Sequence, residues 1–251
     1  MTEKSRISKE ARRRIIEIVG NKRVSDDPAD LLVYGSDASV HSAPAGLVVR
    51  PSEIGEISSI LKEANDRGIP VIPRGSGSGM SGHAVPSRGG IVLDMTGMNR
   101  ILDIRPEDSL CVVQPGVIDD DLNRALSEHN LFYPPGPASS SVATIGGEIA
   151  NNASGIRSVK YGATRDYIMG MMVVLPTGKV VDLGSCSRVF ASGYQLDRLI
   201  VGSEGTLAVI VQATLRVVPK PPHRGMGIAA FDSLDSACRA ISEISSSGVV
   251  T

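Results

Sequence analysis

Residues 69–95, IPVIPRGSGSGMSGHAVPSRGGIVLDM, contain two short apolar segments separated by a loop rich in glycine and serine. The segments "IPVIP" (69–73) and "GIVLDM" (90–95) have the branched apolar side chains typical of buried strands. The loop between them, Arg74 to Gly82, contains the pattern Gly-x-Gly-x-x-Gly. That pattern is typical of a turn that holds the phosphates of a dinucleotide, so the elements on either side of it decide the fold class.

A nicotinamide-binding Rossmann fold would need a helix directly after the glycine turn. Here Gly82 is followed by His-Ala-Val-Pro-Ser-Arg-Gly-Gly, and the proline and glycines leave no room for a helix before the next strand. The Rossmann fold is therefore excluded. The loop still concentrates backbone N–H groups and the hydroxyls of Ser76, Ser78 and Ser81, so we expect it to bind a pyrophosphate; a surface loop without a ligand is the alternative.

The residues before the loop predict a small parallel lobe. "GLVVRP" (46–51) is a short strand, and Ser52 is the expected N-cap of a helix that ends at Gly68. The strand at 69–73 then follows a helical crossover, which predicts that the two strands are parallel. A separate N-terminal helix is expected from Ser8 to Val19.

After about residue 100 the pattern changes to many short β-like segments, which predict a larger, mainly antiparallel lobe. One helix is expected at Ile118 to His129, and Pro176-Thr177-Gly178 predicts a hairpin turn. "GMGIAAF" (225–231) resembles a strand, a helix follows it up to Gly248, and "VVT" (249–251) resembles the start of another strand. We expect a chain truncated at the start of a further domain.

The predicted fold class is therefore α+β, with two lobes. We divide the chain into an N-terminal helix (1–25), a ligand-binding domain (26–222, with lobes at 26–103 and 104–222) and an incomplete start of a substrate domain (223–251). Hydrophobic residues make up 41% of the sequence and charged residues 21%, as in soluble globular proteins.

Charge and cysteine content limit the partners and the compartment. The 26 Lys and Arg residues against 27 Asp and Glu residues give no electrostatic case for a nucleic-acid partner. No apolar segment approaches the roughly 20 residues that span a bilayer, and the polar N-terminus does not resemble a signal peptide. Three widely separated cysteines are typical of a reducing compartment. We expect a cytoplasmic protein, with peripheral attachment to the inner face of the membrane as the alternative.

Two further glycine-rich segments support a ligand that contacts both lobes. "PPGPASSSVATIGGEIANNASG" (134–155) combines small polar residues with few bulky ones, so a ligand can lie against the backbone. "VGSEGTLAVIV" (201–211) places Gly-Ser-Glu-Gly at the start of an apolar strand. Together with the loop at 74–82 they suggest one extended ligand.

These three segments resemble the FAD-linked oxidases of the vanillyl-alcohol oxidase type, and most closely the group that contains the D-lactate dehydrogenases and glycolate oxidase. The resemblance runs from about Asp26 to Pro221 in matching order. It implies a PCMH-type FAD-binding domain with a small parallel lobe and a larger antiparallel lobe. It also implies a ferredoxin-like cap domain, of which residues 223–251 would be the start.

The resemblance implies a set of FAD-binding residues in each segment. The loop would wrap the pyrophosphate, the second segment would line the flavin and its ribityl chain, and Val209 would touch the cofactor from the third. The set comprises Arg74, Gly75, Ser76, Gly77, Ser78, Gly79, Met80, Gly82, His83, Ser139, Thr144, Gly146, Gly147, Ala150, Ser154 and Val209.

Some members of the family bind flavin covalently through a histidine that follows Arg-Gly-x-Gly. Ser78 stands at that position here, so we expect FAD to be bound without a covalent bond. His83 either approaches the cofactor or faces solvent. Members often have Pro-Asp-Pro where this chain has Gly136 between two prolines, which removes a side chain near the flavin. No catalytic residue is assigned, and no metal site is expected.

The resemblance implies an FAD-linked oxidoreductase that oxidises a D-2-hydroxy acid such as D-lactate or glycolate. Electrons would pass from the flavin to a quinone, a cytochrome or an iron–sulfur protein, and a separate C-terminal half is a possible partner. The alternative is a flavin-binding electron-transfer subunit, or an inactive remnant, without a substrate pocket of its own.

Overall fold

The structure is a computed structural model that describes residues 7–187, 191–223 and 225–248. Its fold is α+β, as predicted, with two main sheets. The small lobe has a four-stranded sheet in the order β1-β2-β4-β3: β1 (Val24–Ser25), β2 (Leu47–Val49), β3 (Val71–Arg74) and β4 (Ile91–Asp94). The helices α1 (Lys9–Val19), α2 (Pro28–Val33) and α3 (Ile54–Asp66) belong to this lobe.

The order of the strands in the small lobe explains the position of the glycine loop. β2 and β3 are parallel, as predicted, but they are not neighbours, because β4 lies between them and pairs with both. β3 and β4 are also parallel and no helix joins them, so residues 75–90 must return from the end of β3 to the start of β4. The loop therefore runs along the edge of the sheet where β3 ends.

The helices α1 and α3 are amphipathic, and both begin at an N-cap. Ser8 caps α1, as predicted, by accepting a hydrogen bond from the amide of Ala11 at 3.1 Å. For α3 the N-cap is Glu53, one residue after the predicted Ser52. The carboxylate of Glu56 accepts hydrogen bonds from the amides of both Ser52 and Glu53, and Ser52 lies one residue before the N-cap.

The large lobe has a five-stranded antiparallel sheet in the order β5-β6-β10-β8-β9. The predicted helix at 118–129 is observed as Asp119–Ser127, and Pro176–Gly178 forms the predicted hairpin between β8 and β9. The remaining elements are β5 (Ile101–Arg105), β6 (Leu110–Val113), α4 (Asp119–Ser127), β7 (Leu131–Phe132), α5 (Ile145–Asn151), α6 (Ser158–Tyr161), β8 (Ile168–Val174), β9 (Val180–Gly184), α7 (Leu196–Ile200), β10 (Val209–Arg216), β11 (Val218–Pro219) and α8 (Leu234–Ser246).

Strand β10 contributes to the cores of both lobes. Val209 and Val211 pack into the core of the small lobe, whereas Ala213 and Leu215 pack into the core of the large lobe. Strict alternation would keep all four side chains on one face. An irregularity in the pairing with β8 between Ile210 and Gln212 moves the later residues to the other face.

The prediction of a strand at 225–231 was wrong. The structure describes these residues without regular secondary structure, and Met226 and Ile228 are about nine-tenths exposed. A strand needs a neighbouring strand for its backbone hydrogen bonds, and no described strand lies beside this segment. The following helix is confirmed as α8, with Ser233 as its N-cap. The predicted strand at 249–251 lies outside the described residues.

Candidate functional site

A cavity of about 420 Å³ lies between the two lobes. This volume is within the range of small-molecule and cofactor sites. Three stretches of the chain supply most of its wall: the loop after β3, the segment that leads into α5, and the loop before β10. The lining residues are Asp37, Pro73, Arg74, Gly75, Ser76, Gly77, Ser78, Gly79, Met80, Ser81, His83, Ala84, Met95, Pro115, Pro137, Ser139, Ala143, Thr144, Gly146, Gly147, Glu148, Ala150, Asn151, Ala153, Glu204, Gly205, Ala208 and Ile210.

The glycine loop folds around the side chain of Arg74. The Arg74 guanidinium is largely buried, donates a 2.7 Å hydrogen bond from Nη1 to the carbonyl oxygen of Ser36, and lies 5.5 Å from the centre of the Tyr34 ring. Gly77 has φ +74°, and a Cβ atom at this position would overlap the guanidinium. Only glycine therefore allows the loop to cross Arg74 so closely.

The loop also has backbone donors without protein acceptors. The amide of Ala38 donates at 3.1 Å to the carbonyl oxygens of both Gly77 and Gly79, which holds the loop in place. Within the part of the chain that the structure describes, no backbone amide from Ser76 to Ser81 donates to a protein acceptor. Consecutive free N–H groups beside a cavity form the kind of backbone site that binds phosphate oxygens.

The second segment packs directly against this loop. Thr144 is the N-cap of α5, and its hydroxyl accepts from the amide of Gly147 at 3.3 Å. A Cβ at Gly75 would overlap this same hydroxyl, and a Cβ at Gly146 would overlap Pro115. Gly75 thus allows the small lobe to approach the Thr144 side chain closely, and Gly146 allows α5 to approach Pro115 within the large lobe. Both glycines leave small residues on the side that faces the cavity.

The third segment reaches the cavity through the neighbours of Val209. Val209 does not line the cavity, because its side chain points into the core of the small lobe. Its neighbours Ala208 and Ile210 line the cavity instead, as the alternation of side chains along a strand requires. Gly205, with φ +75°, packs against Pro73 and brings this segment to the end of β3.

All the predicted cofactor-binding residues except Gly82, Ser154 and Val209 line the cavity. Gly82 packs against the ring of His41, and Ser154 is exposed to solvent. Residue patterns did not identify Asp37, Glu148, Asn151 or Glu204, although the last three lie inside the glycine-rich segments. Gly136 also lies beside this region, and the guanidinium of Arg157 occupies the space where its side chain would be.

His83 lines the cavity, and both of its ring nitrogens lie close to polar groups of the large lobe. Its Nδ1 lies 2.7 Å from Oδ1 of Asn151, and its Nε2 lies 2.9 Å from Oε2 of Glu204. Asn151 ends α5 and Glu204 precedes β10, so the residue directly after the glycine loop contacts two elements of the large lobe. Sequence reasoning offered the cofactor or solvent as its neighbour, and it missed these two partners.

Two buried carboxyl groups, Glu148 in α5 and Asp119 in α4, lie at or near the cavity wall that α5 forms. Glu148 is 2% exposed, and neither of its oxygens has a hydrogen-bond partner among the described residues. Burial, with a contribution from the nearby Asp119, raises the pKa of Glu148 to about 9. Burial likewise raises the pKa of Asp119 to about 7, against the opposing effect of Arg157. Burial therefore favours the neutral, protonated form of Glu148, which adds no negative charge to the cavity.

Within the described ranges, no group of His, Cys, Asp and Glu residues is arranged to hold a metal ion. No helix in the described part of the chain is both long enough and apolar enough to cross a bilayer.

Comparison with protein families identifies residues 45–184 as an FAD binding domain. The chain is 39% identical over 245 residues to the glycolate oxidase subunit GlcD of Bacillus subtilis (strain 168), an alignment that covers 97% of this chain and 52% of the relative. It is 40% identical over 198 residues to a D-lactate dehydrogenase of Archaeoglobus fulgidus, with 79% of this chain and 44% of the relative covered. The chain thus spans about half the length of the curated relatives it matches.

Solved structures agree on the fold. An alkyldihydroxyacetonephosphate synthase superposes with a TM-score of 0.85 at 24% identity, over 99% of this chain and 47% of the synthase chain. Substrate-bound p-cresol methylhydroxylase superposes with a TM-score of 0.73 at 22% identity, over 85% of this chain and 44% of the hydroxylase chain. At these identities the likeness supports the shared fold alone.

Proposed function

Because this chain belongs to the family of FAD binding domains, whose cofactor is FAD, we propose that it is the flavin-binding part of an oxidoreductase that oxidises a D-2-hydroxy acid. Relatives named as a glycolate oxidase subunit and as D-lactate dehydrogenases support this substrate class. D-lactate and glycolate are the first candidates, and the electrons pass on to an external acceptor.

The cavity between the lobes is the observation that carries the proposal. An extended cofactor with a central pyrophosphate needs anion-binding donors in the middle of its site and room for a ring system. Among the described residues, the amides from Ser76 to Ser81 have no protein acceptor. The glycines near Thr144 add no side chain to the cavity wall that the other lobe forms. The residues present therefore fit FAD.

Each predicted residue that lines the cavity then has a specific role in holding the cofactor. The amides and serine hydroxyls of the loop bind the pyrophosphate, while the buried Arg74 fixes the path of the loop. Ser139, Thr144 and Ala150 line the flavin and its ribityl chain. Ser78 has no imidazole to link to the flavin, so we expect FAD to be held without a covalent bond.

When bound, the flavin supplies the acceptor for the hydride equivalent that leaves the hydroxyl-bearing carbon of the substrate. This chain binds and orients the flavin and keeps water from the buried side of the cavity. We propose residues 26–222 as the FAD-binding domain, with its lobes meeting near residue 103. Residues 223–251 then begin the part of the protein that covers the substrate.

The first test is the binding of FAD by the purified chain. We expect a yellow protein whose flavin is released into the supernatant by acid precipitation, since no covalent bond is formed. The FAD-free protein should quench flavin fluorescence on titration with FAD and should leave NAD⁺ unbound. A chain that neither contains FAD nor takes it up would refute the proposal.

The second test addresses the reaction. A panel of D- and L-2-hydroxy acids is added anaerobically to the FAD-loaded chain, with and without the C-terminal half of a full-length relative. Bleaching of the flavin absorbance by D-acids, but not by L-acids, supports the proposed substrate class. A flavin that dithionite reduces, and that no hydroxy acid reduces in either arrangement, would instead support the electron-transfer subunit.

A further inference from the structure

His83 connects the two lobes across the cavity. It belongs to the loop between β3 and β4 in the small lobe, and its two ring nitrogens face oxygens of the large lobe. Nδ1 is 2.7 Å from Oδ1 of Asn151, and Nε2 is 2.9 Å from Oε2 of Glu204. We refer to His83, Asn151 and Glu204 as the clasp.

The hydrogen bonds around the clasp determine which atoms face the imidazole. The amide nitrogen of Asn151 donates to the carbonyl oxygen of Gly147 at 3.0 Å, so Oδ1 is the atom that faces the ring. A carboxylate such as Glu204 can only accept. Each ring nitrogen of His83 therefore lies within hydrogen-bond distance of an acceptor oxygen of the large lobe.

The two acceptors are held on one rigid unit. Glu204 has φ +57°, a left-handed conformation that is unusual outside glycine. The backbone of its loop is tied to α5, because Glu204 donates to the carbonyl oxygen of Ala150 at 2.9 Å and Gly202 donates to that of Ile149 at 3.0 Å. The acceptors are thus in place before the imidazole arrives, which reduces the entropy lost when the clasp closes.

The clasp also lies where the cavity opens to solvent. All three of its residues line the cavity, and the side chains of His83 and Glu204 are 31% and 43% exposed. The clasp joins the end of the glycine loop to the large lobe, so it opposes movement of the loop away from that lobe. Ser78 cannot tether the flavin covalently, so retention depends on contacts of this kind.

We propose that the clasp of His83, Asn151 and Glu204 retains FAD by holding the glycine loop against the large lobe. This role rests on the proposed function, because it requires FAD in the cavity. The contacts of His83 with Asn151 and Glu204 exist without the cofactor, however, and can be measured in the FAD-free protein.

The test measures the rate of FAD release, followed as the rise in flavin fluorescence after rapid dilution of the loaded protein. His83→Ala and Glu204→Gln should each release FAD about 10- to 100-fold faster than wild type, the range expected for one charge-assisted hydrogen bond. The double variant should be no faster than the quicker single variant, because the two residues form one contact. His129→Ala, at an exposed position after α4, is the matched control and should match wild type.

A second measurement keeps the result interpretable if retention is unchanged. Spectra of ¹⁵N-labelled histidine in the FAD-free protein should show one imidazole with hydrogen-bonded ring nitrogens; this signal should be lost in His83→Ala and shifted in Glu204→Gln. Wild-type release rates in both single variants, or additive effects in the double variant, would overturn the clasp. A His83 ring signal that Glu204→Gln leaves unchanged would do the same. If wild type binds no FAD while the hydrogen-bonded His83 signal is present, the proposed function fails and the contact between His83 and the large lobe remains supported.

Discussion

Replacing Glu148 with glutamine should stabilise the protein at neutral pH and leave it unchanged in acid. Glu148 is buried against α4 and the cavity wall, and both of its carboxyl oxygens lack a hydrogen-bond partner among the described residues. Burial raises the pKa of Glu148 from 4.5 to about 9, so the folded protein keeps a proton that the unfolded chain releases. The free energy of unfolding is therefore fully retained below pH 4.5 and falls as the pH rises towards 9.

The size of the effect follows from this difference in pKa. Each pH unit above 4.5 lowers the free energy of unfolding by about 1.4 kcal/mol, which amounts to about 3 kcal/mol at pH 7. Glutamine has nearly the shape of the neutral acid and cannot ionise, so Glu148→Gln removes this loss.

The assay is urea unfolding of the FAD-free protein at pH 4.5, 6 and 7.5, followed by circular dichroism. Glu148→Gln should coincide with wild type at pH 4.5, and the two should separate steadily as the pH rises. Glu243→Gln, the same change at an exposed position of α8, is the matched control. Parallel curves for Glu148→Gln and wild type across this range would refute the account of Glu148 as a buried neutral acid.

Two further predictions concern the glycine loop and the thiols. Gly77→Ala should weaken FAD binding at least about 10-fold in a fluorescence titration. A Cβ at this position would displace the Arg74 guanidinium, and the left-handed φ would be strained. The control Gly55→Ala, in an open position on α3, should bind FAD normally and be equally or more stable. In a titration with a thiol reagent, exposed Cys186 and Cys238 should react in the native protein. Cys111 should react only on unfolding, because burial raises the pKa of its thiol to about 12, and a third fast thiol would contradict this.

Local patterns predicted the parts of the fold that local interactions determine. The buried face of α3, the hairpin at Pro176–Gly178 and the two-lobed α+β class all followed from the spacing of apolar residues and from turn chemistry. The order of strands in the small lobe did not follow, because β4 inserts between β2 and β3 through contacts that are distant in sequence. The prediction of a strand at 225–231 failed for the same reason, since an apolar segment forms a strand only beside a neighbouring strand.

For the candidate site, the glycine-rich segments identified most of the cavity wall but not its polar contacts. The packing of Val209 in the small-lobe core, with its neighbours lining the cavity, was not predictable because the side to which a strand residue points depends on pairing with its neighbours. Glu148 and the partners of His83 were missed for a related reason. A single glutamate or asparagine within a glycine-rich segment carries no local signal of burial or of pairing with a residue about 70 to 120 positions away.

The sharing of β10 between the two cores has a consequence for how this domain could change through recombination. One strand supplies Val209 and Val211 to one core and Leu215 to the other, so a gene fragment that encodes either lobe alone would leave half of this strand unburied. The lobes are therefore not interchangeable modules, although each has its own sheet. A chimaera that joins the small lobe of one relative to the large lobe of another should tolerate the exchange only if β10 and the residues it touches on both sides come from the same parent.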